Sequence, residues 1–314
     1  MHSAIELPKC AAPGCRTGLR VLILSLLGLG LGSHWAGAQK APEAKGEYVG
    51  AAVCATCHVD EAKNFPNNPH HKLALLHGPD GPTCEACHGP GKEHVDGGGD
   101  KSKIFAPSEA SAKELDARCL SCHAKSHPDY ARSAHGEGQV SCIGCHSIHA
   151  AKVDDHLLKA KQPELCYQCH SEVRPQFSMP FHHKVGEGLM QCSDCHNPHG
   201  TPGEKMLRST SEQNAVCVKC HSETAGPFVH EHPVVKAEGC TSCHTPHGSP
   251  NARLLNVSNV NTLCLQCHSV TNSAAFPHAV APTGPQHSQI GTYVACTSCH
   301  TQIHGSNTSD VFFK

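Results

Sequence analysis

Twenty of the 22 cysteines in this 314-residue chain fall into one pattern, Cys-x-x-Cys-His, repeated ten times. The first cysteines are Cys54, Cys84, Cys119, Cys142, Cys166, Cys192, Cys217, Cys240, Cys264 and Cys296, and the second are Cys57, Cys87, Cys122, Cys145, Cys169, Cys195, Cys220, Cys243, Cys267 and Cys299. The histidines that follow are His58, His88, His123, His146, His170, His196, His221, His244, His268 and His300. Residues i, i+3 and i+4 share one face of a helical turn. Two thiols can then form thioethers along one porphyrin edge while the imidazole reaches the iron, which is the chemistry of c-type haem attachment. Zinc knuckles and disulfides also use cysteine pairs, yet neither requires a histidine in fifth place. Chance placement of histidine after all ten pairs has a probability on the order of 10⁻¹⁰, so ten covalently attached haems are expected.

The sixth position of each iron separates a carrier from a catalyst. Beyond the leader described below only Met179, Met190 and Met206 are available against 17 further histidines, so bis-histidine ligation is the expected rule. The chain reads as five two-haem units. In each, a histidine closely follows the second motif: His94, His149, His199, His247 and His304. Each linker before a second motif also carries at least one: His77, His135, His183, His232 and, in the last unit, His278 or His287. Five plus five would cap ten irons. A histidine three residues past the proximal one cannot wrap round its own haem, so it is expected to reach a neighbour's. His70, His71, His127, His156, His182, His230 and His287 are then spares, expected at the surface or beside propionates.

The elements that position these groups must be short. Prolines 66, 69, 79, 82, 198, 202, 246 and 250 and the glycine run between Asp96 and Asp100 interrupt helices, which leaves helical turns at the motifs joined by loops. Ser108 to Arg118 is the most helical stretch, the glycine run reads as a plain surface loop, and Val311-Phe312-Phe313 is an apolar end suited to local packing. From Gln39 onward Leu, Ile, Val and Phe are 46 of 276 residues, about 17%, below the roughly 20% of chains that fold on an apolar core. An ordinary Rossmann, barrel or bundle enzyme is thereby excluded. A formal charge of −2 argues against a charge-driven disordered chain, so the haems themselves are expected to form the core. The expected class is a multihaem cytochrome c: mostly irregular, with short helices, an elongated haem-packed chain and little or no β-sheet.

Lys9, Arg16 and Arg20 precede the apolar run from Val21 to Leu31, and Ala36-Gly37-Ala38 offers a cleavage site. Residues 1–38 thus read as a secretory signal peptide that takes Cys10 and Cys15 with it, and 39–314 as the decahaem domain. The apolar run is too short for the roughly 20 residues that span a bilayer. No phosphate loop, nucleophile-base pair or basic stripe for nucleic acid stands out.

With the strings Cys84-Glu85-Ala86-Cys87-His88-Gly89-Pro90, Cys192-Ser193-Asp194-Cys195-His196-Asn197-Pro198-His199-Gly200 and Gln302-Ile303-His304-Gly305-Ser306-Asn307, the sequence closely resembles the MtrA/DmsE/PioA family of periplasmic decahaem cytochromes. The resemblance implies two pseudo-repeated pentahaem halves, about 39–177 and 178–314. It places the linker ligands on His77, His135, His183, His232 and His278, although the long last spacer makes offset counting favour His287. It also implies a non-enzymatic conduit between periplasm and cell exterior, associated with the outer membrane. The implied partners are an outer-membrane β-barrel porin, an outer-surface multihaem cytochrome or reductase, and periplasmic electron carriers, in metal or iron redox chemistry or extracellular respiration. The alternatives are a periplasmic carrier without a barrel and a multihaem reductase of nitrite or hydroxylamine type.

Overall fold

The helical turn demanded by each Cys-x-x-Cys-His spacing is what the computed structural model contains, in residues 46–72, 83–209, 214–268 and 295–313, the parts of the chain described. Short α-helices cover Ala51–Cys54, Cys84–His88, Cys142–Cys145, Glu164–Tyr167, Cys192–Cys195 and Asn214–Cys217, and 3₁₀ turns cover Cys240–Ser242 and Cys296–Ser298. In each motif the histidine N–H returns to the carbonyl four residues earlier, for example His196 N to Cys192 O at 2.9 Å and His300 N to Cys296 O at 3.0 Å. That bond closes the turn that sets two sulfurs and a ring on one side.

The longest helix among the described residues, Ala112–His123, starts later than the Ser108 expected and runs through the third motif. Ser111 stops it from beginning earlier: its hydroxyl accepts from Glu114 N while the Glu114 carboxylate accepts from Ser111 N, a capping box. The four strands among the described residues are two residues each. β1 (Phe181–His182) pairs antiparallel with β3 (Gly248–Ser249), and β2 (His230–Glu231) with β4 (Gly305–Ser306). Each pairing joins a linker to the segment after a later motif. Gly248 permits this close approach, since a Cβ there would stand 1.9 Å from the Gln176 carbonyl oxygen.

Side chains alone supply almost no core. Among the described residues the buried apolar side chains are Leu115, Tyr130, Tyr167 and Val185. A fold of this length cannot rest on four such residues when each contributes roughly 1.5–3 kcal/mol. The packing surface lies instead along one continuous cavity of 6400 Å³, lined by the cysteines and histidines of nine of the ten motifs.

Candidate haem-binding sites

Each unit is first pinned as a pair of helical turns. Cys142 N donates to Asp116 Oδ1 (2.9 Å), Cys240 N to Asn214 Oδ1 (2.9 Å) and Cys296 N to Asn261 Oδ1 (2.8 Å). In every case a side chain three residues before the first motif caps the turn of the second. Gln162, four residues before Cys166, caps the second turn of the third unit one residue further in, accepting from Ser193 N at 3.0 Å. The first unit reverses the polarity: the buried Glu85 carboxylate accepts from Val49, Gly50 and Gly91 N–H at 3.0, 2.9 and 2.8 Å. These clamps bring thiols together. Cys54 lies beside Cys84, Cys119 beside Cys142, Cys166 beside Cys192, Cys217 beside Cys240 and Cys264 beside Cys296, each close enough to shift its partner's titration. Between units the second thiols approach, Cys87 toward Cys122, Cys145 toward Cys169, Cys195 toward Cys220 and Cys243 toward Cys267, closely enough that each raises the thiol pKa of the first-named, after burial. The motifs thus follow one another in space in the order of the sequence.

The histidines form facing pairs, all but His58 and His94 across the cavity. His58 faces His94 at 6.3 Å between ring centroids, His88 faces His149 at 6.0 Å, His146 faces His199 at 6.0 Å, His196 faces His247 at 6.1 Å and His244 faces His304 at 6.3 Å. His70 faces His123 at 6.0 Å, His135 faces His170 at 6.1 Å, His183 faces His221 at 6.2 Å and His232 faces His268 at 6.3 Å. A metal about 2.0–2.1 Å from each imidazole nitrogen, with about 1.1 Å from nitrogen to ring centre, sets two rings about 6.2–6.4 Å apart. The nine observed gaps, 6.0–6.3 Å, lie within about 0.2 Å of that span.

Hydrogen bonds present the same nitrogen of these rings to the gap. Nδ1 of His88, His146, His196, His244 and His300 lies 3.0, 2.7, 2.8, 2.8 and 2.6 Å from the carbonyls of Phe105, His156, Lys205, Arg253 and Val311. On the opposite side His94, His135, His183 and His232 reach the carbonyls of Asp100, Pro198, Pro246 and Ile303 at 2.9, 3.0, 2.5 and 2.9 Å. A carbonyl only accepts, so Nδ1 carries the proton and Nε2 keeps its lone pair for a metal. Burial lowers the pKa of His70, His149, His232, His247 and His304, and His199 falls to about 4 through burial and then the neighbouring His127 and His146 rings. These rings are neutral, as ligands must be.

The carbonyls that hold the proximal rings sit in a device that sequence reasoning missed. His156 and Leu157, Lys205 and Met206, and Arg253 and Leu254 are consecutive non-glycine residues with φ between 51° and 59°. Left-handed backbone costs such residues roughly 1–2 kcal/mol each, so no local propensity signals it. Its effect is to turn one carbonyl onto the histidine while Leu158, Leu207 and Leu255 bridge back to His146, His196 and His244. The end Val311-Phe312-Phe313 is the last copy, with Phe312 at φ 60°, Phe312 packed on His232 and Phe313 on His300. A different signal was legible and unused: His199, His247 and His304 are each followed by glycine, and each of these glycines abuts the preceding unit's linker, at Ser133, Gln176 and Phe228.

His70, set among the spares by sequence, is the ring opposite His123, and Asn68 Oδ1 holds its Nδ1 at 3.0 Å while Asn68 Nδ2 donates to Ile148 O. His77, His278 and His287 lie outside the described residues. His127 also stands 6.1 Å from His123, but it lies four residues on and its ring packs against His199 with centroids 3.9 Å apart. Of the other spares, His156 is exposed beside Asp155, and His182 bonds Glu187 at 2.9 Å. His71 Nδ1 and Thr201 Oγ1 are buried without a protein partner, as groups awaiting a polar edge such as a propionate would be. The glycine run is an exposed turn, with Gly98 and Gly99 at φ 66° and 96°, and it delivers the Asp100 carbonyl to His94.

The donors fit haem better than zinc. Among the described residues no three His, Cys, Asp or Glu side chains converge as a tetrahedral site requires. Shared among nine motifs, the 6400 Å³ cavity gives about 710 Å³ each, within the roughly 300–1,000 Å³ of a cofactor pocket. Paired thiols, an Nε2-directed ring and a facing ring around each such space define a multihaem c-type cytochrome, an electron-transfer protein with covalently bound haem. Comparison with known proteins agrees. The doubled CXXCH motif family matches residues 134–175, 182–226 and 232–273, and the chain is 37% identical over 276 residues to multiheme cytochrome MtrA of Shewanella baltica, covering 84% of this chain and 81% of that one. The chain belongs to the MtrA/DmsE/PioA family of multihaem cytochromes.

Proposed function

We propose that the chain carries ten haems in a single file and conducts electrons between the periplasm and the cell exterior, inside or against an outer-membrane β-barrel porin. The observation that carries this reading is the continuity of the sites: thiol follows thiol in sequence order from Cys54 to Cys296 within and between units. Haem bound in these positions supplies one-electron iron chemistry. The chain's own residues fix where each group sits, with two cysteines tethering its edge, a proximal ring held by a carbonyl, and a second ring arriving from another segment.

In this reading the ligand pairs are the nine ring pairs above, with His70 serving the third site, and His278 or His287 completing the tenth opposite His300. Pairs of rings close every sixth position, so the protein carries electrons and does not turn over a substrate. Residues 1–38 are removed on export. No helix among the described residues is long and apolar enough to cross a membrane. In this reading a barrel sheathes the file where it crosses the outer membrane, because its polar backbone could not face lipid.

The test is transport across a bilayer. Liposomes containing reduced methyl viologen are reconstituted with the porin and this protein, and ferric citrate is added outside. Internal dye should be oxidised only when both proteins are present. Failure of the pair to associate, with no oxidation of internal dye, would leave a carrier without a barrel.

A further inference from the structure

Each of the five units has a side-chain clamp joining its two turns, and the clamps differ in charge. In the third, fourth and fifth units the acceptor is neutral: Gln162, Asn214 and Asn261. In the first two it is a carboxylate. Glu85 is 4% exposed and ringed by three backbone N–H donors, and Asp116, half-buried, takes Cys142 N at 2.9 Å with its Oδ1 3.1 Å from Cys142 Sγ. Once that sulfur is a thioether it has no proton to donate. The Asp116 oxygen then keeps the amide and holds a full negative charge against the porphyrin edge.

Other charges near the thiols do not reproduce this division. Arg118 lies over the Phe105 ring and near Cys87, and Lys159 is near Cys145, but Lys219 stands in the same relation to Cys195 in the neutral half. Asp194 and Glu238, the acidic groups near Cys195 and Cys243, are exposed, where water and salt screen them. A charge removed from water acts on its neighbours far more strongly.

We infer that Asp116 and Glu85 are potential-setting residues, which hold the haems of the first two units more oxidisable than those of the last three and so give the file a built-in downhill sense from its N-terminal to its C-terminal end. A fixed anion stabilises ferric over ferrous iron, because the ferric site carries one more positive charge. One electron then leaves a ferrous site in the second unit and reduces a ferric site in the third, with no proton or further reactant. The inference rests on the haem-file reading proposed above and adds a direction to it.

The sister units supply the control, since asparagine already occupies the Asp116 place at Asn214 and Asn261. In the purified holoprotein, Asp116→Asn should move two tenths of a spectroelectrochemical titration, at its low-potential end, upward by about tenfold in the redox equilibrium, or 59 mV for one electron. Asn214→Asp should move a different two tenths downward by a similar amount, which a merely structural clamp would not do. Glu85→Gln should shift the first pair in the sense of Asp116→Asn. Titrations of Asp116→Asn and Asn214→Asp that superimpose on the parent, with haem content intact, would overturn the inference. Should Asp116→Asn lose haem, Asn214→Asp decides. A parent carrying fewer than ten haems would strike at the haem-file reading instead.

Discussion

Replacing His199 with alanine should open the haem tethered at Cys142, not the one tethered at Cys192, whose His196 lies three residues upstream of His199. The reason is the ring geometry: His199 faces His146 at 6.0 Å, whereas His196, its own proximal neighbour, faces His247 at 6.1 Å. The substitution removes one of two ties between the second and third units. The other, His135 opposite His170, stays, and so does the Pro198 carbonyl that holds His135. Haem content should therefore be unchanged, and one tenth of the iron should become high-spin and bind carbon monoxide. His127 lies 3.9 Å from His199 between ring centroids and could swing into its place, so the experiment is made in a His127→Gln background. Electron paramagnetic resonance, magnetic circular dichroism and carbon monoxide titration read the fraction. Location follows from non-additivity. If His146 and His199 serve one iron, adding His146→Ala leaves the low-spin loss at one tenth. A loss of two tenths would place them on different irons and refute the pairing.

The stoichiometry is tested by intact mass: the chain from Gln39 to Lys314 should carry ten haems, with no thiol titratable after denaturation. Protein produced without haem-attachment machinery should stay unfolded and protease-sensitive, because Leu115, Tyr130, Tyr167 and Val185 are the buried apolar side chains among the described residues. Glu85→Ala should cost about 3 kcal/mol in chemical denaturation, by leaving three N–H groups without their acceptor. Arg253, at φ 59°, should accept glycine with little change in thermal midpoint, while Arg253→Val should cost about 1–2 kcal/mol by forcing a β-branched side chain into left-handed backbone.

How much of this was legible in the sequence depends on the range of the interaction. The motif turns are local, so their spacing alone dictates them. That a ring three residues past His196 must serve a different site also follows from the length of one turn. Which site it serves does not, because the partner lies 53 residues back at His146, across a linker whose path no periodicity encodes. The same limit hid the place of His70. Counting within units favours His77 as the nearer histidine, whereas His70 reaches forward to the third motif with Asn68 as its brace. The left-handed pairs at Lys205-Met206 and Arg253-Leu254 carry no glycine or asparagine to announce them, since the strain there is sustained by the surrounding bonds. Asp116, Asn214 and Asn261, each three residues before a motif, emerge only when the units are aligned on their shared capping geometry.

The reciprocal exchange of rings makes length a variable that can change in whole steps. Between the two ends, where His94 faces His58 of its own unit, each linker ring faces a motif of the unit ahead and each ring after a second motif faces one of the unit behind, so internal junctions of the same type are interchangeable. Excising residues 134–181 would remove the fourth and fifth motifs together with His135, His149 and His170. His199 would then fall to His88, while His70 and His123, His183 and His221, and His196 and His247 would keep one another. No ring would be left over. A gene for such a protein can therefore lose or gain a segment by unequal crossing between its own repeats and still encode a closed set of ligands, so descendants of different reach can arise in single recombination events.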